Sequence, residues 1–136
     1  MSVNPNSIID QVVEAVIGLM NATQPFASVT RGALPTAHGI TCEVGPSTPE
    51  TVYLDKNTYV PLDLTLNAKH EDLQIVTNAL NSIHSILTRA KQYPSGTGWK
   101  IVDITNGTLP RVIGRETNNM WILASSLYVK FYQGGD

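Results

Sequence analysis

Cysteine is almost missing from this chain. Cys42 is the only one in 136 residues, so no internal disulfide can form, and a reducing compartment is compatible with the sequence. A basic surplus is missing as well. Nine lysines and arginines stand against eleven aspartates and glutamates, a formal charge of −2, which leaves nothing to neutralise a phosphate backbone and argues against duplex binding. No apolar run is long enough to cross a bilayer: the longest, Val12 to Met20, is interrupted by Glu14 and falls far short of the roughly 20 residues a span requires. The N-terminus lacks the basic start and small-residue cleavage site of a secretory signal. The expectation is a soluble protein made and kept in the cytoplasm. At this length, with 42% hydrophobic residues, one domain over 1–136 with one ordinary core is expected.

What the chain does have is two long alternating runs. In Asn118 to Gln133, Trp121, Leu123, Ser125, Leu127, Val129 and Phe131 fall on one side of an extended strand, and Ile122, Ala124, Ser126, Tyr128, Lys130 and Tyr132 on the other. In Val60 to Lys69, Leu62, Leu64, Leu66 and Ala68 alternate with Asp63, Thr65 and Asn67. Between them the period changes. Leu73, Val76, Leu80, Ile83, Leu87 and Ala90 recur at helical spacing, predicting a helix from about Glu71 to Lys91 that lies across a sheet. A first helix starts with Asn4 as cap and Pro5 at its first position and ends near Asn21. Phe26 to Thr30, Ile40 to Val44 and Val52 to Leu54 read as short strands joined by loops at Leu34–Gly39 and Gly45–Pro49. Trp99 to Thr105, Arg111 to Thr117 and Met120 to Gln133 predict an antiparallel meander with a turn at Asn106-Gly107, tight or several residues long. The fold class is α+β, an antiparallel sheet of mixed strand lengths packed against two main helices.

Candidates for chemistry are few. Cys42 and His38 suggest a thiol nucleophile with a base, but alternation places Ile40, Cys42 and Val44 on one face, as a small buried hydrophobe would sit. His38, Cys42, His70 and His84 show no paired metal-ligand spacing. Asp63, Asp103 and Glu116 lie on or near strands, where solvated carboxylates are commonplace. Ser95-Gly96-Thr97-Gly98 follows a helix and precedes a strand, the reverse of a phosphate-cradling loop. Ser125-Ser126 lacks the glycines of a nucleophile elbow. The chain is therefore expected not to be an enzyme and to need no metal or cofactor.

The polar side of the last strand is more suggestive. Tyr128, Lys130 and Tyr132 project away from the core side, and Arg111, Arg115 and Glu116 lie on the adjoining strand. Tyrosine and arginine are enriched where proteins meet proteins, so these six are the candidate contact residues; a solvated face with cross-strand pairs is the alternative.

The segments Val60-Pro61-Leu62-Asp63-Leu64-Thr65-Leu66-Asn67-Ala68-Lys69-His70, Thr108-Leu109-Pro110-Arg111-Val112-Ile113-Gly114-Arg115-Glu116, and Trp121 with Ser125-Ser126-Leu127-Tyr128-Val129-Lys130-Phe131-Tyr132 resemble those of small phage minor capsid proteins, a group similar in size and layout to the tail terminator, or tail-completion, proteins of long-tailed phages and phage-tail-like particles. The resemblance covers about Tyr59 to Gln133. It implies an α+β virion subunit assembled in the bacterial cytoplasm as a ring, usually of six, at the head-proximal end of the tail tube. Such a ring ends tube growth and meets the head connector, and the Leu34–Gly39 and Gly45–Pro49 loops would serve in docking. Six copies would carry roughly −12, mildly repelling DNA that slides through the lumen without specific binding. A neck or head-completion connector protein, or a monomeric adaptor with a pocket between sheet and helix, are the alternatives.

Overall fold

The computed structural model describes residues 5–45 and 58–133. It is an α+β fold, as the alternating runs and the intervening helical stripe predict. Helix α1 spans Pro5–Ala22, followed by β1 (Val29–Thr30), β2 (Gly39–Val44) and β3 (Thr58–His70). Helix α2 spans Leu73–Thr88, followed by β4 (Ser95–Gly96), β5 (Trp99–Asn106), β6 (Arg111–Arg115) and β7 (Trp121–Gln133). The expected strand at Val52–Leu54 lies outside the described residues, and that at Phe26–Thr30 shortens to its last two residues.

The strands form one sheet in the order β1-β2-β3-β7-β5-β4, with β6 also paired to β7. All ladders are antiparallel except β1 with β2. The axis is β3 with β7, paired over all thirteen residues from Thr58↔Gln133 to His70↔Trp121. Alternation sends Leu62, Leu64, Leu66 and Ala68 of β3 and Leu123, Leu127, Val129 and Phe131 of β7 into the core, each at most 2% exposed. Against them lie Val12, Val13, Val16 and Met20 of α1 and Val76, Leu80, Ile83 and Leu87 of α2. Burying a side chain of this size is worth about 1.5–3 kcal/mol, and this helix-on-sheet layer holds the fold together.

Helix α2 starts where Asp72 caps it, its carboxylate accepting from the N–H groups of Gln74 (2.9 Å) and Ile75 (3.3 Å). At its far end the Tyr93 hydroxyl donates to the Leu87 carbonyl at 2.8 Å. The glycine-rich stretch after it is a hairpin. Ser95↔Lys100 and Gly96↔Trp99 pair around Thr97-Gly98, with Gly98 at φ +81°, and a side chain at Gly96 would collide with the Trp99 indole.

The meander requires correction. Asn106-Gly107 does not reverse the chain: β5 and β6 do not pair with each other but lie in line along the same edge of β7, Asn106 opposite Leu127 and Arg111 opposite Ala124. The residues between them form an inserted bulge stitched to Ser126. Gly107 N–H donates to the Ser126 carbonyl (3.0 Å), Ser126 N–H to the Thr108 carbonyl (2.8 Å), and Thr108 N–H to Ser126 Oγ (2.7 Å). A tight hairpin would have used the same dipeptide but left half of the β7 edge away from β3 without a partner. The only true reversal here is between β6 and β7, where Glu116 N–H donates to the Met120 carbonyl and Asn119 takes φ +67°.

Candidate functional site

Both helices cover one face of the sheet, so the other face is where β3, β5 and β7 present their remaining side chains. Tyr59 is 57% and Tyr128 51% exposed there, large apolar surfaces that a buried layer would have covered. Lys130 Nζ lies 5.0 Å from the Tyr59 ring centre, and Tyr132 meets the same ring edge-on at 5.1 Å. Tyr59, Pro61, Asp103, Thr105, Tyr128 and Lys130 line a shallow depression of ≈ 330 Å³. Pro61 is tolerated within this long strand because β2 has already ended at Val44↔Leu64, leaving β7 as its strand neighbour among the described residues.

Of the six residues expected at a contact, Tyr128, Lys130 and Tyr132 therefore gather on this bare face. Arg111, opposite Ala124, shares this face but stands four residues of β7 from Tyr128, while Arg115 and Glu116 do not join the group. Arg115 stands opposite Trp121 on β7, nine residues from Lys130, about 30 Å along a strand. Its guanidinium carbon sits 4.4 Å from the Trp121 ring centre. Glu116 accepts from Lys69 Nζ at 3.0 Å, and the same ammonium donates to the Pro35 carbonyl at 2.9 Å. Lys69 is only 5% exposed although it lies on the face away from the helices, because the chain before β2 and the β6–β7 turn close over it. Arg111 is exposed and makes no ion pair among the described residues.

The Leu34–Gly39 loop is tied down at several points. Besides the Pro35 bond, His38 stacks on His70 with ring centres 3.7 Å apart, Phe26 meets His70 edge-on at 4.8 Å, and a side chain at Gly39 would strike the Pro35 ring. His70 Nδ1 accepts the Asp72 N–H at 2.8 Å, and burial together with the neighbouring His38 pushes its pKa below the ordinary value. Of the second expected loop only Gly45 is described, its N–H donating to the Asp63 carbonyl at 2.6 Å; the rest lies outside the described residues.

The candidate nucleophile sits in the core. Cys42 is fully buried, and desolvation, with Glu43 nearby, pushes its thiol up to about 12, so the thiolate is inaccessible at neutral pH. His38 is engaged with His70 instead. His84 is 3% exposed, with Nδ1 2.8 Å from Asn106 Oδ1; Nδ1 carries the donated proton, and burial lowers the ring's pKa. Among the described residues, no group of three or more histidines, cysteines or carboxylates converges on a metal position. Asp63 faces Tyr128 and Asp103 faces Lys130 across opposite edges of β7, while Glu116 is committed to Lys69 at the other end.

Two residues of this surface escape the sequence patterns. Tyr59 belongs to the bare face because β3 begins at Thr58; the alternation Tyr59, Pro61, Asp63 carries that signal once the strand is extended backwards. The burial of Lys69 has no local signal, since its partners lie 34 and 47 residues away. No family model matches the chain, and no curated protein matches it.

Proposed function

We propose that this chain is a structural virion subunit, a tail terminator that assembles as a ring, of six copies as the resemblance implies, at the head-proximal end of a tail tube. In this role it ends tube growth and offers the surface to which a head connector or neck protein docks. One observation carries the reading: a sheet covered by helices on one face only, whose other face exposes Tyr59 and Tyr128 beside Lys130 and Asp103. Aromatic anchors bordered by charge are the composition of protein contact surfaces. The three segments that resemble small phage minor capsid proteins, a group similar in size and layout to tail terminators, supply β3, β6 and β7, the strands that build the sheet's axis and one of its edges. The buried, protonated Cys42 weighs against thiol chemistry as the purpose of the fold.

Native mass across a concentration series, with negative-stain images of the protein alone and mixed with tail tubes, tests the reading. A closed ring of about 89 kDa, six copies of the 14.8 kDa chain, free or seated at one tube end, is the expected result. A monomer that ignores tube ends would overturn it and favour a monomeric adaptor using the ≈ 330 Å³ depression.

A further inference from the structure

Helix α2 carries no formal charge. Its sixteen residues hold no aspartate, glutamate, lysine or arginine, and its one histidine, His84, is buried. A surface helix ordinarily turns charged side chains toward water, and depletion of charge marks a surface that meets another protein. The helix also turns apolar groups outward. Ile75 is 42% and Ile86 52% exposed, about three turns apart on one flank of the helix, with the small side chains of Ala79 and Ser82 between them on the same flank.

A depression of ≈ 270 Å³ opens beside the first half of this stripe, lined by Ile75, Asn78, Ala79 and Ser82 on the helix and by Thr23 to Phe26 in the turn after α1. One end of the stripe thus offers a hollow and the other a protruding isoleucine. The charges stand outside the stripe and are divided by sign: Glu71 and Asp72 precede the helix, Arg89 and Lys91 follow it, and all four are exposed.

The pattern is its own complement. Set antiparallel to a copy of itself about a two-fold axis between Leu80 and Asn81, the helix places Ile75 opposite the second copy's Ile86, Ala79 opposite its Ser82 and Asp72 opposite its Arg89, and each pair occurs twice. Ile86 then enters the hollow beside Ile75, the small central pair lets the two backbones approach closely, and opposite charges meet at both ends. A parallel arrangement would set like charges on like at each end and leave both hollows unfilled. We propose that two copies of this chain pair through α2 in this antiparallel, two-fold way. The stripe lies on the helix-covered side of the sheet, away from Tyr59 and Tyr128, so the pairing adds to any contact of the bare face and stands whether or not the pairs go on to form a ring.

Two single variants, I75K and I86E, alone and mixed in equal amounts, test it by native mass across a concentration series beside the wild type. Both positions are exposed in the single chain, so neither change removes a core contact. The wild type is expected at about 30 kDa, two copies of the 14.8 kDa chain, or at a larger even number of copies. Each variant alone sets a charge against an isoleucine twice per pair and is expected at half the wild-type mass or less, its pairing weakened roughly a hundredfold or more. In a mixed pair one joint keeps both isoleucines and the other sets the introduced ammonium against the introduced carboxylate, so the wild-type mass is expected to return with the two variants in equal numbers. A parallel contact gives no such rescue. A wild type that stays at 14.8 kDa, a variant that keeps the wild-type mass, or a mixture that stays small although both variants unfold at the wild-type urea midpoint would overturn the pairing. Any of these would leave the ring at tube ends, scored by images, standing.

Discussion

Cys42, His84 and Lys69 show how strongly a few buried polar side chains respond to their surroundings. With its thiol pushed to about 12 and no surface exposed, Cys42 is expected to resist an aromatic disulfide reagent in the native protein and to react stoichiometrically only in denaturant; fast native labelling would refute the placement. His84 and His70 are both held below their ordinary value of 6.5, chiefly by burial. The unfolded chain therefore binds more protons than the native one as the pH falls past that value. The stability these rings contribute is complete above about 6.5 and is lost as the pH drops through their lower native values. Denaturant midpoints at pH 8 and pH 5.5 should show the decline, and H84N, which keeps a donor for Asn106, should flatten it. Glu116→Gln leaves the Lys69 ammonium nearly buried with neutral acceptors only, the Pro35 carbonyl and the new amide oxygen, and no countercharge. Because Glu116 is itself partly exposed, the expected cost is about 1–3 kcal/mol, measured by urea unfolding, with K69M costing less.

At the scale of elements, the long pieces were legible because each obeys one period. Strand β7 alternates throughout and β3 as far as Ala68, and α2 keeps its stripe from Leu73 to Leu87, so burial there could be read residue by residue. The junction of β5 and β6 was not legible, since Asn106-Gly107 carries the same local signal whether it reverses the chain or loops out of a ladder. The choice was made by the edge of β7 away from β3, which β5 and β6 fill one after the other. A bulge between Ile101 and Asp103 adds to the difficulty by shifting the buried positions from Ile101 to Ile104. Two-residue strands such as β1 and β4 are too short to show any period. Of the candidate contact residues, the tyrosine group followed from alternation, whereas the separation of Arg115 and Glu116 from it depended on where β6 docks. The bulge makes its own prediction. A side chain at Gly107 would strike Ser126 Oγ and press on the Tyr128 ring, so G107V should detach the start of β6 from β7. Faster amide exchange at Thr108 and Ser126, with β3–β7 amides unchanged, is the expected signature.

In the whole molecule, the sheet is organised around β7, which follows all its strand partners in the sequence. β7 pairs with β3 on one side and with β5 and β6 on the other, so every earlier strand of the long axis is synthesised without its partner. During translation the chain therefore holds two amphipathic helices and the apolar faces of β3 and β5 with no centre to close on. Ribosome-stalled chains ending at Asn118 are expected to be cleaved readily by protease, and chains with Gln133 clear of the exit tunnel to be protected. Sequence-distant pairings of this kind slow folding, because the loop entropy is lost before the contacts form. For a sheet whose central strand comes this late, this order has a consequence for timing. The sheet is set in place only when β7 arrives, so a nascent chain has no finished surface to offer a neighbour. Were copies to assemble as proposed, those made side by side on one messenger would be kept from pairing until each is complete, and assembly would begin from finished subunits.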